Sequence, residues 1–179
     1  WPSWFWDWTK GVLISIGMSN ATQEFRRFVL KSDADPLRRP TTRVIDCAVG
    51  GQAANVIDDP SVPYWDSVAS RLRGHGSSPL QPQVAWIKEA DAGPTGSFAV
   101  SSDPDLNHDP GAGPVTAPWL AWGPYLWADG LTPRSDGLTW ACAEFAADGT
   151  HPAVAAQLKV ADSLLAFFRE DATTAPWYR

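Results

Sequence analysis

Residues Leu13 to Phe25 read Leu-Ile-Ser-Ile-Gly-Met-Ser-Asn-Ala-Thr-Gln-Glu-Phe. A short β-branched and apolar run breaks at Gly17 and a helical pattern begins a few residues later, so Ser19 falls on the turn where a strand hands over to a helix. A side chain on such a turn stands at the carboxyl end of a strand and near the unsatisfied N–H groups of a helix start, the usual place for chemistry in open α/β sheets. The Ser19 hydroxyl is neutral at pH 7, so it needs a base before it can attack anything.

Outward from this turn, Gly11 to Ile16 reads as a first strand whose near-continuous apolar character suits burial on both faces of a parallel sheet. Ala21 to Lys31 reads as a helix with Phe25, Phe28 and Val29 on one side and Glu24, Arg26 and Arg27 mostly on the other, Glu24 complementing the dipole of the first turn. Asp35-Pro36 and Arg39-Pro40 end it. Arg43 to Val49 is a second buried strand, closing on Gly50-Gly51-Gln52-Ala53, where a glycine pair lets the backbone approach a ligand and leaves N–H groups free to point at it. Between Pro63 and Arg73, Tyr64, Trp65, Val68 and Leu72 recur at helical spacing until Gly74, and Pro82 to Lys88 is a third strand. Strand, helix, strand, helix, strand is the rhythm of right-handed βαβ units, which predicts a parallel sheet between helices. Pro152 then opens a last helix whose stripe is Val154, Leu158, Ala161, Leu165 and Phe168.

A chain of 179 residues with 44% hydrophobic composition holds one real core, so a single domain over 11–179 is expected. Before it, residues 1–10 carry Trp1, Trp4, Trp6 and Trp8, either packed over the domain or forming an exposed aromatic strip. The net charge is -6 with Lys and Arg scattered, which argues against a nucleic-acid partner. No apolar run approaches the ~20 residues of a membrane span, and the N-terminus lacks the basic-then-apolar order of a signal peptide. Cys47 and Cys142 either pair or are two small buried thiols, and the compartment stays open. The 16 Pro and 14 Gly, beside 12% aromatic residues, point to long ordered loops rather than disorder. The longest is the irregular insert 92–139, punctuated by the aromatic run Trp119 to Trp127.

Before the last helix stands Asp148-Gly149-Thr150-His151-Pro152. An Asp three residues ahead of a His on a Gly-containing loop can fold back to accept from the imidazole Nδ1–H, leaving Nε2 to take a proton. The alternative is a plain helix cap, with Asp148 or Thr150 satisfying orphan N–H groups. His75 and His108 lie in polar loops and read as solvated; no metal site is expected, since three converging ligands would be needed. Asn20-Ala21-Thr22 matches a glycosylation sequon, discounted because a glycan there would block Ser19.

Gly17-Met18-Ser19-Asn20, Gly50-Gly51-Gln52-Ala53 and Asp148-Gly149-Thr150-His151-Pro152 resemble the first, second and last blocks of the SGNH (GDSL-like) hydrolases, in that family's chain order. The resemblance implies an α/β chain folded as a three-layer α/β/α flavodoxin-like domain with a short parallel sheet and no cofactor. It makes Ser19 the nucleophile, His151 the base and Asp148 its orienter. The oxyanion hole would use the N–H of Ser19 and of Gly50 or Gly51, plus a third-block Asn side chain. Here the third strand ends in Trp86-Ile-Lys-Glu-Ala-Asp91 with no Gly-x-Asn-Asp, which looks closer to the Trp-x-Gln-Gly-Glu-x-Asp of the sialate-esterase and acetylxylan-esterase branch. Lys88 then takes the place of the donor Gln, or else it is an ion-pair partner of Glu89 or Asp91. The chain looks shortened between the third and last blocks, which leaves one sheet edge exposed or covered by the Trp119 to Trp127 run. The implied activity is hydrolysis of a small-molecule or carbohydrate ester, such as an O-acetyl group on a sugar. The rival is a Trp-rich carbohydrate-binding or structural module that kept the scaffold and lost activity.

Overall fold

Strand β1 (Gly11–Gly17) lies at the centre of a parallel sheet of order β2-β1-β3. On one side it pairs with β2 (Thr42–Ile45), from Gly11 opposite Thr42 to Ile14 opposite Ile45. On the other it pairs with β3 (Pro82–Lys88), from Leu13 opposite Val84 to Gly17 opposite Lys88. Val12 faces Pro82, so Gln83 is the extra residue of a bulge. The helices are α1 (Ser19–Asp33), α2 (Ala54–Ile57), α3 (Pro63–Gly74), α4 (Val154–Glu170) and α5 (Ala175–Tyr178), with a 3-10 turn at Cys142–Glu144. The computed structural model describes residues 10–89, 107–119 and 121–179, so most of the Trp-rich segment 1–10 and the start of the insert 92–139 lie outside the described residues.

Alternation along the strands divides the core in two. Leu13, Val44 and Trp86 face Ala21, Phe25 and Phe28 of α1 and Val160, Ala161, Leu164 and Phe168 of α4. Val12, Ile14 and Ile45 face Cys47, Ile57 and the α3 residues Tyr64, Val68 and Leu72. The result is a mixed α/β fold, a small sheet with helices on both faces. Phe25, Phe28 and Leu164 are completely buried, and each such side chain contributes about 1.5–3 kcal/mol of transfer free energy.

The second strand is shorter than its pattern predicts because the ladder stops at Ile45. The Cys47 and Ala48 N–H groups donate instead to the buried Ser15 Oγ, at 2.9 and 3.1 Å. The α4 stripe is also re-phased. Val154 and Leu158 are exposed, while Ala156, Val160, Ala161, Leu164 and Phe168 are buried. The expected stripe holds Ala161 and Phe168 but misses Ala156, Val160 and Leu164, and the small size of the two alanines lets α4 approach α1 closely. Glu24 is likewise misplaced by the pattern: it is 3% exposed and lies beyond the first turn of α1.

Among the described residues β3 has β1 as its only strand neighbour, and Ile87 on its α3 side is exposed. Part of the Trp119 to Trp127 run does cross the core: Gly123 lies against the Trp86 ring, Leu126 packs on the α1/α4 cluster, and Trp140 Nε1 donates to the Leu126 carbonyl at 2.7 Å. Its rings nevertheless point outward, Trp122 being 91% exposed. Cys47 and Cys142 are both free, the first buried with its thiol pushed up to about 12 by desolvation, the second exposed.

The chain is closed by a buried clasp. Asp35 accepts from Arg169 Nε and Nη2 at 2.9 and 2.6 Å and from Tyr178 Oη at 3.1 Å, tying the end of α1 to α4 and α5. The Arg169 hydrogen bonds, then the Leu37 N–H and Tyr178, outweigh desolvation and hold its carboxyl down at about 2. A depressed carboxylate stabilises the fold above its ordinary value of 3.8 and loses that contribution as pH falls through about 2. Acid titration of the wild type should therefore remove about 2 kcal/mol between those limits, and Asp35→Asn should flatten that part of the urea-unfolding profile.

Candidate active site

The chain can turn from β1 into α1 only at a glycine. Gly17 has φ +154°, and a Cβ there would meet both the Ala21 Cβ and the Lys88 carbonyl oxygen at 2.5 Å. Met18 is extended and Ser19 is the first helical residue, so its N–H is one of the orphan donors of the helix start. Its Oγ lies 2.8 Å from His151 Nε2.

His151 is delivered by a narrow loop. Phe145 bridges Pro152, the Ala146 N–H donates to the His151 carbonyl at 2.8 Å, and the Ala153 N–H donates to the Glu144 carbonyl at 2.8 Å. Gly149 makes the turn with φ +68°. Glu144 is anchored in turn by an ion pair to Lys159 of α4. At the loop's tip Asp148 is not the helix cap that the sequence offered as an alternative, since α4 begins after Ala153 with no side-chain cap; its carboxylate turns back on its own loop instead. Its Oδ1 accepts the Thr150 and His151 N–H groups at 2.9 Å each, and its Oδ2 lies 2.6 Å from His151 Nδ1. Those two backbone donors, then the imidazole, hold the Asp148 carboxyl well below the usual carboxylate range. An ionised carboxylate only accepts, so Nδ1 carries the proton and Nε2 is left to accept from Ser19 Oγ.

Gly50 comes beside this pair: a Cβ added to it would lie 3.6 Å from the Ser19 Cβ. Gly51 follows with φ +76°. The Val49 N–H donates to the Gly17 carbonyl at 2.9 Å, which fastens the glycine loop to the end of β1. The structure thus gathers Ser19, His151, Asp148 and Gly50–Gly51 at the carboxyl edge of the sheet, with the helix start and the glycine amides as candidate anion donors.

Lys88 is placed otherwise than either alternative expects. Its Nζ lies 2.7 Å from both oxygens of the buried Glu24, so its ammonium is committed to an ion pair across to α1 rather than to a third oxyanion donor. Burial raises the Glu24 carboxyl above its ordinary value, and the charge of Lys88 works against that rise. Asp91, the other partner considered, is outside the described residues.

Asn20 carries a role that its sequon obscured, its amide donating to the Thr150 carbonyl at 3.1 Å and tying the histidine loop to α1. Ser15, Thr22 and Asp46 also stand behind the site, and nothing in their local sequence marks them out. Among the described residues no cluster of three or more His, Cys, Asp or Glu is arranged to hold a metal ion. Two clefts of about 440 Å³ lie elsewhere, one between Tyr125, Arg134 and Lys159, the other between Lys10, Arg38 and His75. No helix among the described residues is long and apolar enough to cross a membrane.

The chain matches no protein-family model, no curated protein and no solved structure. The functional reading therefore stands on the geometry.

Proposed function

We propose that the chain is a serine hydrolase of the SGNH type that cleaves esters by acyl transfer. The observation that carries this is the continuous hydrogen-bonded chain from Ser19 Oγ through His151 to Asp148. Ser19 Oγ attacks the ester carbonyl as His151 Nε2 takes its proton; the imidazolium then gives that proton to the departing alkoxide. Water enters by the same route in reverse, leaving the acid and a free Ser19. The Ser19 N–H and the Gly50 or Gly51 N–H are the donors for the tetrahedral oxyanion, where each donor contributes about 2.7–4 kcal/mol. The strand order β2-β1-β3 with helices on both faces supports a flavodoxin-like domain, whose sites sit at this edge of the sheet. Asp148 is half-exposed, so the site lies open to solvent and suits an ester carried on a large or polymeric molecule, such as an O-acetylated carbohydrate.

The exposed Trp119, Trp122, Tyr125 and Trp127 favour a second reading, a carbohydrate-binding module on the same scaffold. Turnover of p-nitrophenyl acetate separates the two, since a binding module does not hydrolyse it. Asp148→Asn should lower kcat about 10²–10⁴-fold by releasing the tautomer, with the smaller loss favoured by the water already around the carboxylate. An unchanged kcat would exclude Asp148 as orienter. Because the Asp148 carboxyl is depressed, its contribution is complete above its ordinary value of 3.8 and is lost only as pH falls through the lowered one.

A further inference from the structure

We propose that Asp46 is a positioning residue that sets the gap between the Ser19 N–H and the Gly50–Gly51 amides, an inference that rests on the hydrolase reading of the same site. Asp46 leaves the end of β2 on the α1 side and its side chain is 10% exposed. Its Oδ1 accepts from Ser15 Oγ at 2.7 Å and from the Ala48 N–H at 3.2 Å. Its Oδ2 accepts from Thr22 Oγ1 and from Arg26 Nε, the latter at 3.1 Å. Thr22 and Arg26 follow Ser19 by three and seven positions, so they share its face of α1. One carboxylate therefore grips the helix that carries Ser19, the strand that feeds it and the chain that leads into the glycine loop.

The surrounding groups fit this role. Ser15 is completely buried, gives its proton to Asp46 and takes the Cys47 and Ala48 N–H groups on its oxygen, so every valence of the hydroxyl is used in bending the chain toward Gly50. Arg71 of α3 holds the same outlet from the opposite face, donating to the Asp46 and Ala48 carbonyls at 3.2 and 2.8 Å. The Asp46 charge, which would repel an oxyanion nearby, is countered by Arg26 and by Arg71 at 3.9 Å. A shift of the glycine amides by as little as 1 Å costs about 10²-fold in rate, which is why such a clamp matters to the chemistry and not only to the fold.

The test compares wild type, Asp46→Ala and Asp46→Asn, measuring p-nitrophenyl acetate turnover per site titrated with a fluorophosphonate. Asp46→Ala should keep one labelled serine per chain and a KM within about twofold, while kcat and the labelling rate both fall about 10–100-fold. Asp46→Asn, which keeps an acceptor for Ser15 and Ala48, should recover most of that loss. A merely structural role would lower the number of labelled sites and leave turnover per site unchanged, and that result overturns the inference. Should Asp46→Ala fail to fold, Thr22→Val removes one jaw of the clamp: a kcat about 3–10-fold lower per labelled site is expected, and a wild-type value overturns the inference. Wild-type protein that neither hydrolyses nor labels overturns the hydrolase reading and the role of Asp46 together; wild type that does both beside an equally active Asp46→Ala overturns the role of Asp46 alone.

Discussion

Ser19→Ala is expected to abolish ester turnover, with a fall in kcat on the order of 10⁶-fold, while leaving the fold intact. The loss is large because, in the proposed mechanism, the hydroxyl is the atom that becomes acylated, and among the described residues no other nucleophile is placed against His151 Nε2 as Ser19 Oγ is at 2.8 Å. What survives is the smaller acceleration that binding and the oxyanion donors supply on their own, about 10³–10⁴ over water in serine enzymes of this logic. Stability should hardly change, since Ala suits the first helical position and every backbone donor of the turn is retained. Circular dichroism and a thermal midpoint within a few degrees of wild type, beside absent p-nitrophenyl acetate turnover, are the expected pair of results. Turnover at the wild-type rate in a folded Ser19→Ala protein would show that another group does the chemistry.

Lys88→Met should lower stability by about 3 kcal/mol at neutral pH. It leaves Glu24, whose side chain is only 4% exposed, without the ammonium that lies 2.7 Å from both of its oxygens. The cost lies at the low end of the range for broken buried pairs because the Lys88 side chain is 36% exposed and water replaces part of what it provides. The sign of the pH dependence follows from Glu24. Burial raises its carboxyl above the ordinary 4.5, so the folded state holds the proton more tightly and the fold is favoured below that value. Stability declines as pH rises through the raised value, and without Lys88 that decline must extend to higher pH. Urea unfolding should accordingly show a larger gap between variant and wild type at pH 8 than at pH 5. If Lys88 instead served as an oxyanion donor, its loss would lower kcat and leave the unfolding curves superimposed.

What the chain discloses before folding follows from how local each signal is. Strand β3 was legible to the residue because Pro82 and Lys88 bracket an apolar run, and β1 because Gly17 must end it. The Asp148/His151 contact spans three positions, so spacing allowed it but left a helix cap open as the alternative. Ser19 and His151 are 132 positions apart, and only the ordered resemblance of three short blocks brought them together on the page. Patterns failed where a pairing is both distant and ambiguous in character. Lys88 finds Glu24 at a separation of 64, across two elements, while two nearer carboxylates competed for it in the sequence. Glu24 itself was assigned to the wet face of α1 because a charged residue is seldom fully buried, and its burial makes sense only once Lys88 is in place. Asp46 shows the same limit: its partners Ser15 and Thr22 lie 31 and 24 positions away, and no periodicity connects them. The buried Ala156 of α4 was invisible for another reason, since a small residue marks a close helix contact only when its neighbour is known.

The central claim is that Ser19 is an activated nucleophile. Treatment of the folded protein with a fluorophosphonate, followed by mass spectrometry of the tryptic peptide 11–26, tests it most directly. One adduct per chain, located on Ser19 and absent from the folded His151→Ala variant, is the predicted result. A wild-type chain that takes up no adduct, or takes it up at another residue with Ser19 unmodified, would contradict the account.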